Sequence, residues 1–373
     1  MGVSRGEAGT MTDDATTRGE PGGGDGRVRV AVGSWVDEEL CRLIEESEPR
    51  AEVLRRQDLY RPMRFPADHG GDPAFERSER QQREFEELVD SADVLYGIPD
   101  TDPAQLRRTV RANPRLRWVQ TMAAGGGAQL KAAGLDREEL DRVVVTTSAG
   151  IHGEPLAEFA LFGVLAGAKG LPRLERDRAE RNWPQRRWLM SQLSEMTVLI
   201  LGMGGIGRAA AAKFSALGAR VWGASRSGRP AEHVEAMVPL EDLARVAGEV
   251  DALVVTLPGT ESTEGLVGAE LLGALRPGAV LVNVGRGTVV DEPALVRALE
   301  AGSVGFAALD VTAREPLPQD SPLWNHPQVL ISPHNAALSE HEPRRITELF
   351  IENLRAFIDG GRLRNVVDTV EFY

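Results

Sequence analysis

The chain has 373 residues, 42% of them hydrophobic, which is enough for two domains with cores of their own. A formal net charge of −13 excludes general affinity for nucleic acid or anionic membranes, so any bound anion needs a local basic site. A single cysteine, Cys41, excludes an internal disulfide and agrees with a reducing, cytoplasmic setting, and no run is apolar enough to span a bilayer.

Residues 1–26 are polar and lack an apolar run, so they read as a disordered tail and not as a signal peptide. Gly2 is not an acylation signal, because Gly6 stands where the motif requires Ser or Thr. Order is expected from the strand VRVAVG, followed by a helix through CRLIEESE and a short strand AEVLRR. FERSERQQREFEELVDSA reads as a solvated helix. DVLYGIPD (93–100), LRWVQTMAAGGG (116–127) and VVVTTSAG (143–150) read as buried strands ending in turns. The long apolar helix GEPLAEFALFGVLAGAK follows, with Pro155 near its start, and then an Arg- and Trp-rich link, RLERDRAERNWPQRRW.

A second αβ series begins at TVLILG. Its strands RVWGAS, DALVVTLP, AVLVNVG, GFAALDV and QVLISPH are continuous apolar runs, as strands buried on both faces should be. Helices IGRAAAAKFSALG, LEDLARVA, AELLGAL and EPALVRALEAG alternate with them. The fold class is therefore α/β, with two doubly wound parallel-sheet domains. The final helix, EPRRITELFIENLRAFIDG, is expected to return to the first domain.

GMGGIG places Gly202, Gly204 and Gly207 in G-x-G-x-x-G, with Gly205 and Ile206 completing the turn between a strand and an Ala-rich helix. Such glycines permit a tight turn, close approach to a pyrophosphate and close strand–helix packing. On this basis 149–337 reads as a dinucleotide-binding domain, inserted into a substrate domain of 27–148 and 338–373. The next strand normally ends in an acid that holds the ribose hydroxyls. Here it ends in Ser225, Arg226 and Ser227, with Arg229 close behind. Loss of the acid removes repulsion toward a 2′-phosphate, and Arg226 offers it a bidentate fork, so NADP(H) is expected over NAD(H). Solvated turn residues are the plainer alternative.

Three ionisable residues fall just past strand ends: Arg286 after AVLVNVG, Glu315 after AALDV, and His334 after QVLISP. Ligands of open parallel sheets sit at that edge. A guanidinium there can grip a 2-keto acid's carboxylate, while an imidazole gives a proton to the developing alkoxide and a carboxylate orients it. The other histidines lack this combination: His69, His233 and His341 lie on polar segments, His152 opens a helix, and His326 precedes a strand. No metal site is expected.

Beyond these residues, the chain resembles the D-isomer-specific 2-hydroxyacid dehydrogenases. LVNVGRGTVVDEPALVRAL, AALDVTAREPLP and VLISPHNAA are similar to that family's arginine-, glutamate- and histidine-bearing signatures, and the likeness runs from about Val28 to Leu363. The resemblance implies a Rossmann nucleotide-binding domain inserted in a flavodoxin-like substrate domain. It implies Arg286 for substrate binding and Glu315 with His334 as the proton-transfer pair. Leu257, Pro258 and Thr263 are expected on the adenine side, Val284 and Gly285 along the cofactor, and Asp310 near the nicotinamide carboxamide. Gly97 and Ile98, beside Tyr96, are expected to offer backbone amides to the substrate. The Met122–Gly127 turn and the tryptophans of the link are candidates for the pocket wall, and the helix from Gly153 for a homodimer contact.

Two departures stand out. TAREPLP lacks the Phe and extra acid often seen before Glu-Pro, and Ser225–Arg226 replaces the NAD-type acid, as in relatives similar to glyoxylate/hydroxypyruvate reductases. The expectation is an NADP(H)-preferring 2-keto acid reductase. The alternatives are an NAD-dependent member, such as a phosphoglycerate or phosphite dehydrogenase, and a non-catalytic nucleotide sensor similar to the family's corepressors.

Overall fold

The computed structural model describes residues 26–65, 67–370 and 372, so the expected tail, apart from Gly26, lies outside the described residues. The chain forms two compact units. One runs to Ser148 and resumes at Pro343, and the other is Ala149–Glu342.

In the first unit, β1 (Val28–Val32), α1 (Glu38–Ser47), β2 (Ala51–Leu54), α2 (Glu79–Asp90) and β3 (Val94–Tyr96) come first. Then follow α3 (Pro103–Ala112), β4 (Trp118–Gln120), α4 (Gly126–Ala133), α5 (Arg137–Arg142) and β5 (Val144–Thr146). All pairings are parallel, in the order β2-β1-β3-β4-β5, which is the flavodoxin-like arrangement. The helices start where side chains replace missing backbone partners. Ser78 and Gln81 form a capping box on α2, and Asp102 accepts from the Ala104 amide with Pro103 at the first turn of α3.

The C-terminal helix (Glu342–Ile358) packs on this sheet through aromatic faces. Phe350 stacks on Tyr96 at 4.3 Å and on Trp118 at 5.0 Å between ring centroids. The Tyr96 hydroxyl lies 2.9 Å from Thr347 Oγ1, and the Trp118 indole donates to Thr146 Oγ1 at 2.8 Å, so the polar tips of these buried rings are satisfied.

In the second unit, α6 (Gly153–Ala168) and α7 (Leu171–Ala179) precede β6 (Thr197–Leu201), α8 (Gly205–Ala216), β7 (Arg220–Ala224) and β8 (Ala236–Met237). Then come α9 (Leu243–Val246), β9 (Ala252–Val255), α10 (Ala269–Ala274), β10 (Ala279–Asn283), α11 (Glu292–Ala301), β11 (Val304–Leu309) and β12 (Val329–Ile331). The parallel order β12-β11-β10-β9-β6-β7-β8 is the Rossmann arrangement with one further strand. Each strand feeds two cores by alternation. Leu199 and Leu201 of β6 enter one cluster, while Val198 and Ile200 enter the other. On α6, Gly163 and Gly167 let the helix lie flat on the sheet, since a Cβ at Gly167 would meet Val280 Cγ2 at 2.4 Å. Lys213 of α8 donates to Glu154 of α6 at 2.8 Å.

Two sequence expectations need adjustment. The Arg-rich link is partly helical, since α7 occupies its first half, capped by Gly170 at φ 67°. The return to the first unit falls at Pro343 and not at 338, and Glu342 is still held to the second unit through His152. His152, buried at the start of α6, lies 2.5 Å from Glu342 Oε1 in the same unit, so its ring is hydrogen-bonded there and leaves the helix uncapped by its side chain.

Candidate active site

The order of the second sheet reverses between β6 and β9, and the crevice outside the carboxyl ends of those strands is where such sheets take ligands. The glycine turn sits there. Gly202 adopts φ +104°, and a Cβ at Gly207 would lie 1.9 Å from the Gly202 carbonyl oxygen, so only glycine lets α8 start this close to β6. Thr256 Oγ1 donates to the Gly202 carbonyl at 2.8 Å, and the Gly202 amide donates to Ala224 O at 2.8 Å. The second bond fixes the end of β7, and hence Ser225, beside the turn. A Cβ at Gly204 would meet nothing within 4 Å, which leaves open space over the α8 N-terminus. Gly205 lies against Gly150, while Ile206 packs on the core beneath.

Sequence reasoning passed over Arg208, the residue directly after GMGGIG. It is exposed, and its Nη1 donates to Met203 O at 2.9 Å, which folds the guanidinium back along the turn. Past β7, Ser225 is half-buried, while Arg226, Ser227 and Arg229 are exposed. The Ser225 and Ser227 hydroxyls are 3.4 Å apart, and the Arg229 amide donates to Ser227 Oγ at 3.4 Å.

At the ends of β9 and β10, backbone meets backbone. A Cβ at Gly285 would lie 2.5 Å from Leu257 O, so the Leu257–Pro258 and Val284–Gly285 segments are in contact. Thr263 Oγ1 donates to Pro258 O at 2.6 Å and closes that loop. Asn283 donates to Arg286 O at 3.1 Å and accepts the Gly285 amide at 3.1 Å, which sets the turn from which Arg286 projects. Arg286 is exposed, with Nη1 donating to Gly285 O at 2.8 Å. A Cβ at the next residue, Gly287, would lie 2.0 Å from Thr312 O, so the Arg286 loop abuts the loop that carries Glu315.

Glu315 and His334 meet. His334 Nδ1 lies 2.7 Å from Glu315 Oε2, with the two side chains 47% and 40% exposed. An ionised carboxylate only accepts, so Nδ1 carries the proton and Nε2 is the nitrogen left for a ligand. Glu315 Oε1 accepts the Thr312 amide at 3.2 Å, and Glu292 Oε1 accepts the Ala313 amide at 2.6 Å, which pins this loop to α11. His334 itself adopts φ 58°, unusual for a residue with a Cβ. Its amide donates to both Asp310 O and Ser332 O at 2.9 Å, holding the strained backbone in place.

Asp310 is buried at the end of β11. Its Oδ1 accepts the Ser332 hydroxyl at 2.8 Å and the Ala336 amide at 3.0 Å. Its Oδ2 is buried with no hydrogen-bond partner among the described residues. A buried carboxylate oxygen is costly to leave unpaired and calls for a donor from outside the protein.

Tyr96, Gly97 and Ile98, the residues expected at the substrate, are all buried in the first unit. Tyr96 is core, 1% exposed and stacked on Phe350, and the Gly97 amide already donates to Gln120 O at 2.8 Å. Ile98 is equally buried. The strand is short and central, so its last side chain turns inward and its first loop amide extends the ladder. The Met122–Gly127 turn is different, because α4 begins there at Gly126 with its first amides outside the helical ladder. A Cβ at Gly126 would strike Thr121 Oγ1 at 2.1 Å, so the turn requires glycine. Ser34, after β1, was also missed: its hydroxyl is buried without a partner among the described residues.

Among the described residues, no cluster of three His, Cys, Asp or Glu side chains could hold a metal, and no helix is long and apolar enough to cross a membrane.

Residues 161–336 match the model of the family described as D-isomer specific 2-hydroxyacid dehydrogenase, NAD binding domain. The glyoxylate reductase of Korarchaeum cryptofilum is 32% identical over 288 residues, covering 76% of this chain and 84% of that protein. This chain belongs to the D-isomer-specific 2-hydroxyacid dehydrogenases. These dehydrogenases are oxidoreductases with a nicotinamide cofactor, acting on small 2-hydroxy and 2-keto acids.

Solved structures of the family agree with both sheets. A D-isomer specific 2-hydroxyacid dehydrogenase from Xanthobacter autotrophicus Py2, in complex with NADPH and MES, superposes with a TM-score of 0.72 at 30% identity, covering 93% of this chain and 100% of that one. The NADPH-dependent glyoxylate/hydroxypyruvate reductase of Sinorhizobium meliloti, in complex with NADP and sulfate, also gives 0.72, at 27% identity and the same coverage. This dehydrogenase fits a nicotinamide dinucleotide in its own residues. Open space over Gly204 suits a pyrophosphate at a helix N-terminus, and the unpartnered Asp310 Oδ2 suits a carboxamide N–H.

Proposed function

We propose that this dehydrogenase is an NADP(H)-preferring reductase of a small 2-keto acid, yielding the D-2-hydroxy acid. The observation that carries the reading is the 2.7 Å contact between His334 Nδ1 and Glu315 Oε2 at the carboxyl edge of the sheet, one loop away from Arg286. The reduced nicotinamide, when bound, supplies a hydride to C2 of the substrate. His334, in its doubly protonated form, gives its Nε2 proton to the C2 oxygen as negative charge gathers there, while Nδ1–H stays on Glu315. Glu315 orients the ring through Nδ1, and Arg286 pairs with the substrate carboxylate and polarises the adjacent carbonyl. In the reverse direction His334 accepts the hydroxyl proton.

For the cofactor, Gly202, Gly204, Gly205, Ile206 and Gly207 would cradle the pyrophosphate. Leu257, Pro258 and Thr263 would flank the adenine side, with Val284 and Gly285 along the chain and Asp310 at the carboxamide. Ser225, Arg226 and Ser227 would hold the 2′-phosphate; no acid follows β7 to repel it. A homodimer through α6 is inferred from the resemblance and from Phe162, which is exposed on that helix. Residence in the cytoplasm is inferred from the lone, buried cysteine.

A panel of 2-keto acids that includes glyoxylate and hydroxypyruvate, assayed with NADPH and NADH, tests the reading. Turnover with kcat/KM favouring NADPH is expected, and Arg226→Ala should lower the NADPH value about tenfold or more while barely changing NADH. Equal or better use of NADH would overturn the phosphate assignment. No turnover with any keto acid, in a protein that still binds nucleotide, would favour a sensor.

A further inference from the structure

The carboxyl end of β11 and the loop after β12 are tied together at four points, all through Asp310 or Ser332. The Asp310 carbonyl accepts the His334 amide, and Asp310 Oδ1 accepts both the Ser332 hydroxyl at 2.8 Å and the Ala336 amide at 3.0 Å. The Ser332 carbonyl shares the His334 amide at 2.9 Å, and the Ser332 amide donates to Leu309 O at 2.9 Å. His334 is thus held between Ser332 and Ala336, and both of those residues donate to one oxygen of one carboxylate.

That arrangement has a directional result. A carboxylate can rotate about its last bond and present either oxygen. With Oδ1 held by two donors, Oδ2 is the oxygen left over, and it is buried with no partner among the described residues. Among the described residues, the hydroxyl of Ser332 is the only side-chain group that donates to Asp310. Removing it leaves one backbone donor, which holds the plane of the carboxylate less firmly.

We infer that Ser332 is a positioning residue. Its hydroxyl fixes Asp310 so that Oδ2 faces the carboxamide end of the cofactor, and it locks that carboxylate to the loop bearing His334. Recognition of the nicotinamide and placement of the proton donor are then set by one hydrogen-bonded unit. The inference rests on the cofactor assignment made above for Asp310. It goes beyond that assignment by naming the residue that sets the orientation of the carboxylate.

The ligand pair that tests it is NADP+ and 2′-phospho-ADP-ribose, which lacks the nicotinamide, measured by calorimetric titration on the full chain. For Ser332→Ala, NADP+ affinity should fall about tenfold while 2′-phospho-ADP-ribose affinity stays at the wild-type value. Ser332→Thr, which keeps the hydroxyl, should restore NADP+ affinity. With a keto acid, Ser332→Ala should lower kcat and raise the KM for NADPH, leaving the keto acid KM near wild type.

Unchanged NADP+ affinity in Ser332→Ala would overturn the inference. So would an equal loss for both ligands, which marks a general disturbance of the fold. If the alanine variant does not fold, Ser332→Cys, similar in size and a poor donor, is held to the same two outcomes. Should the wild type bind neither NADP+ nor NAD+, the cofactor reading itself falls and takes this inference with it. That result is distinguishable, because it requires no variant.

Discussion

His334 Nδ1 lies 2.7 Å from Glu315 Oε2, although the two residues come from separate loops at the ends of neighbouring parallel strands. The contact leaves one ring nitrogen for a substrate, as the proposed proton-transfer role of the imidazole requires. His334→Ala should therefore lower kcat by about 10²–10⁴-fold with NADPH affinity little changed. Steady-state kinetics beside a fluorescence titration of NADPH checks this. Wild-type turnover in the variant removes His334 from the mechanism.

Gly204 and Gly207 make a contrasting pair. A Cβ at Gly207 meets the Gly202 carbonyl at 1.9 Å, whereas one at Gly204 meets nothing within 4 Å. Gly207→Ala should destabilise the protein by about 1–3 kcal/mol through overpacking, seen as a lower Tm without ligand. Gly204→Ala should keep the wild-type Tm and lose cofactor affinity. If both variants behave alike, the open space over the turn is not where the pyrophosphate goes.

Arg286 offers a planar fork that lysine cannot reproduce. Arg286→Lys keeps the charge and loses the bidentate geometry, so the keto acid KM should rise about tenfold or more. Arg286→Ala should do worse, with cofactor affinity spared in both. A KM that stays put in the lysine variant would show that charge alone suffices.

The first unit carries an acid-sensitive tie. Arg50 donates to both oxygens of Glu48 at 2.7 Å and to Asp359 at 2.7 Å, joining the end of α1 to the end of the C-terminal helix. Hydrogen bonding from the Arg50 guanidinium holds the Glu48 carboxyl below its ordinary range, against the opposing effect of burial. A depressed carboxyl stabilises the fold above its unfolded value, about 4.3, and that contribution is lost as pH falls through the folded value. Glu48→Gln should thus have a lower Tm than wild type at pH 7, and the gap should close below about pH 4. A gap of constant size from pH 7 to pH 3 would contradict the linkage.

Cys41 is fully buried on α1, and burial pushes its thiol up to about 12. The native protein should not react with a thiol-specific disulfide reagent at pH 8, while the urea-unfolded chain should release one equivalent. Rapid labelling of the folded protein would count against this packing.

The sequence made the second unit far more legible than the first. GMGGIG, Arg286 and Glu315 follow apolar strands of five or six residues, His334 follows the apolar run QVLISP, and an open parallel sheet places such ends on one edge. In the first unit the strands are three residues long at β3, β4 and β5, too short for their ends to be read to the residue. Tyr96 therefore looked like a loop side chain, whereas its ring packs on Phe350, some 250 positions away in the chain. Ser332 and Arg208 carried no signal beyond adjacency to a motif, because a hydroxyl's partner is known only when the loops are folded. α7 was hidden by its composition: Arg, Glu and Asp fill five of its nine positions and leave little apolar face to detect.

The abutment of Gly287 on Thr312 has an evolutionary consequence. A guanidinium loop and a carboxylate loop that interlock backbone to backbone cannot drift separately, since a longer side chain or an inserted residue on either would dislodge the other. Selection for a new keto acid should leave both loops untouched.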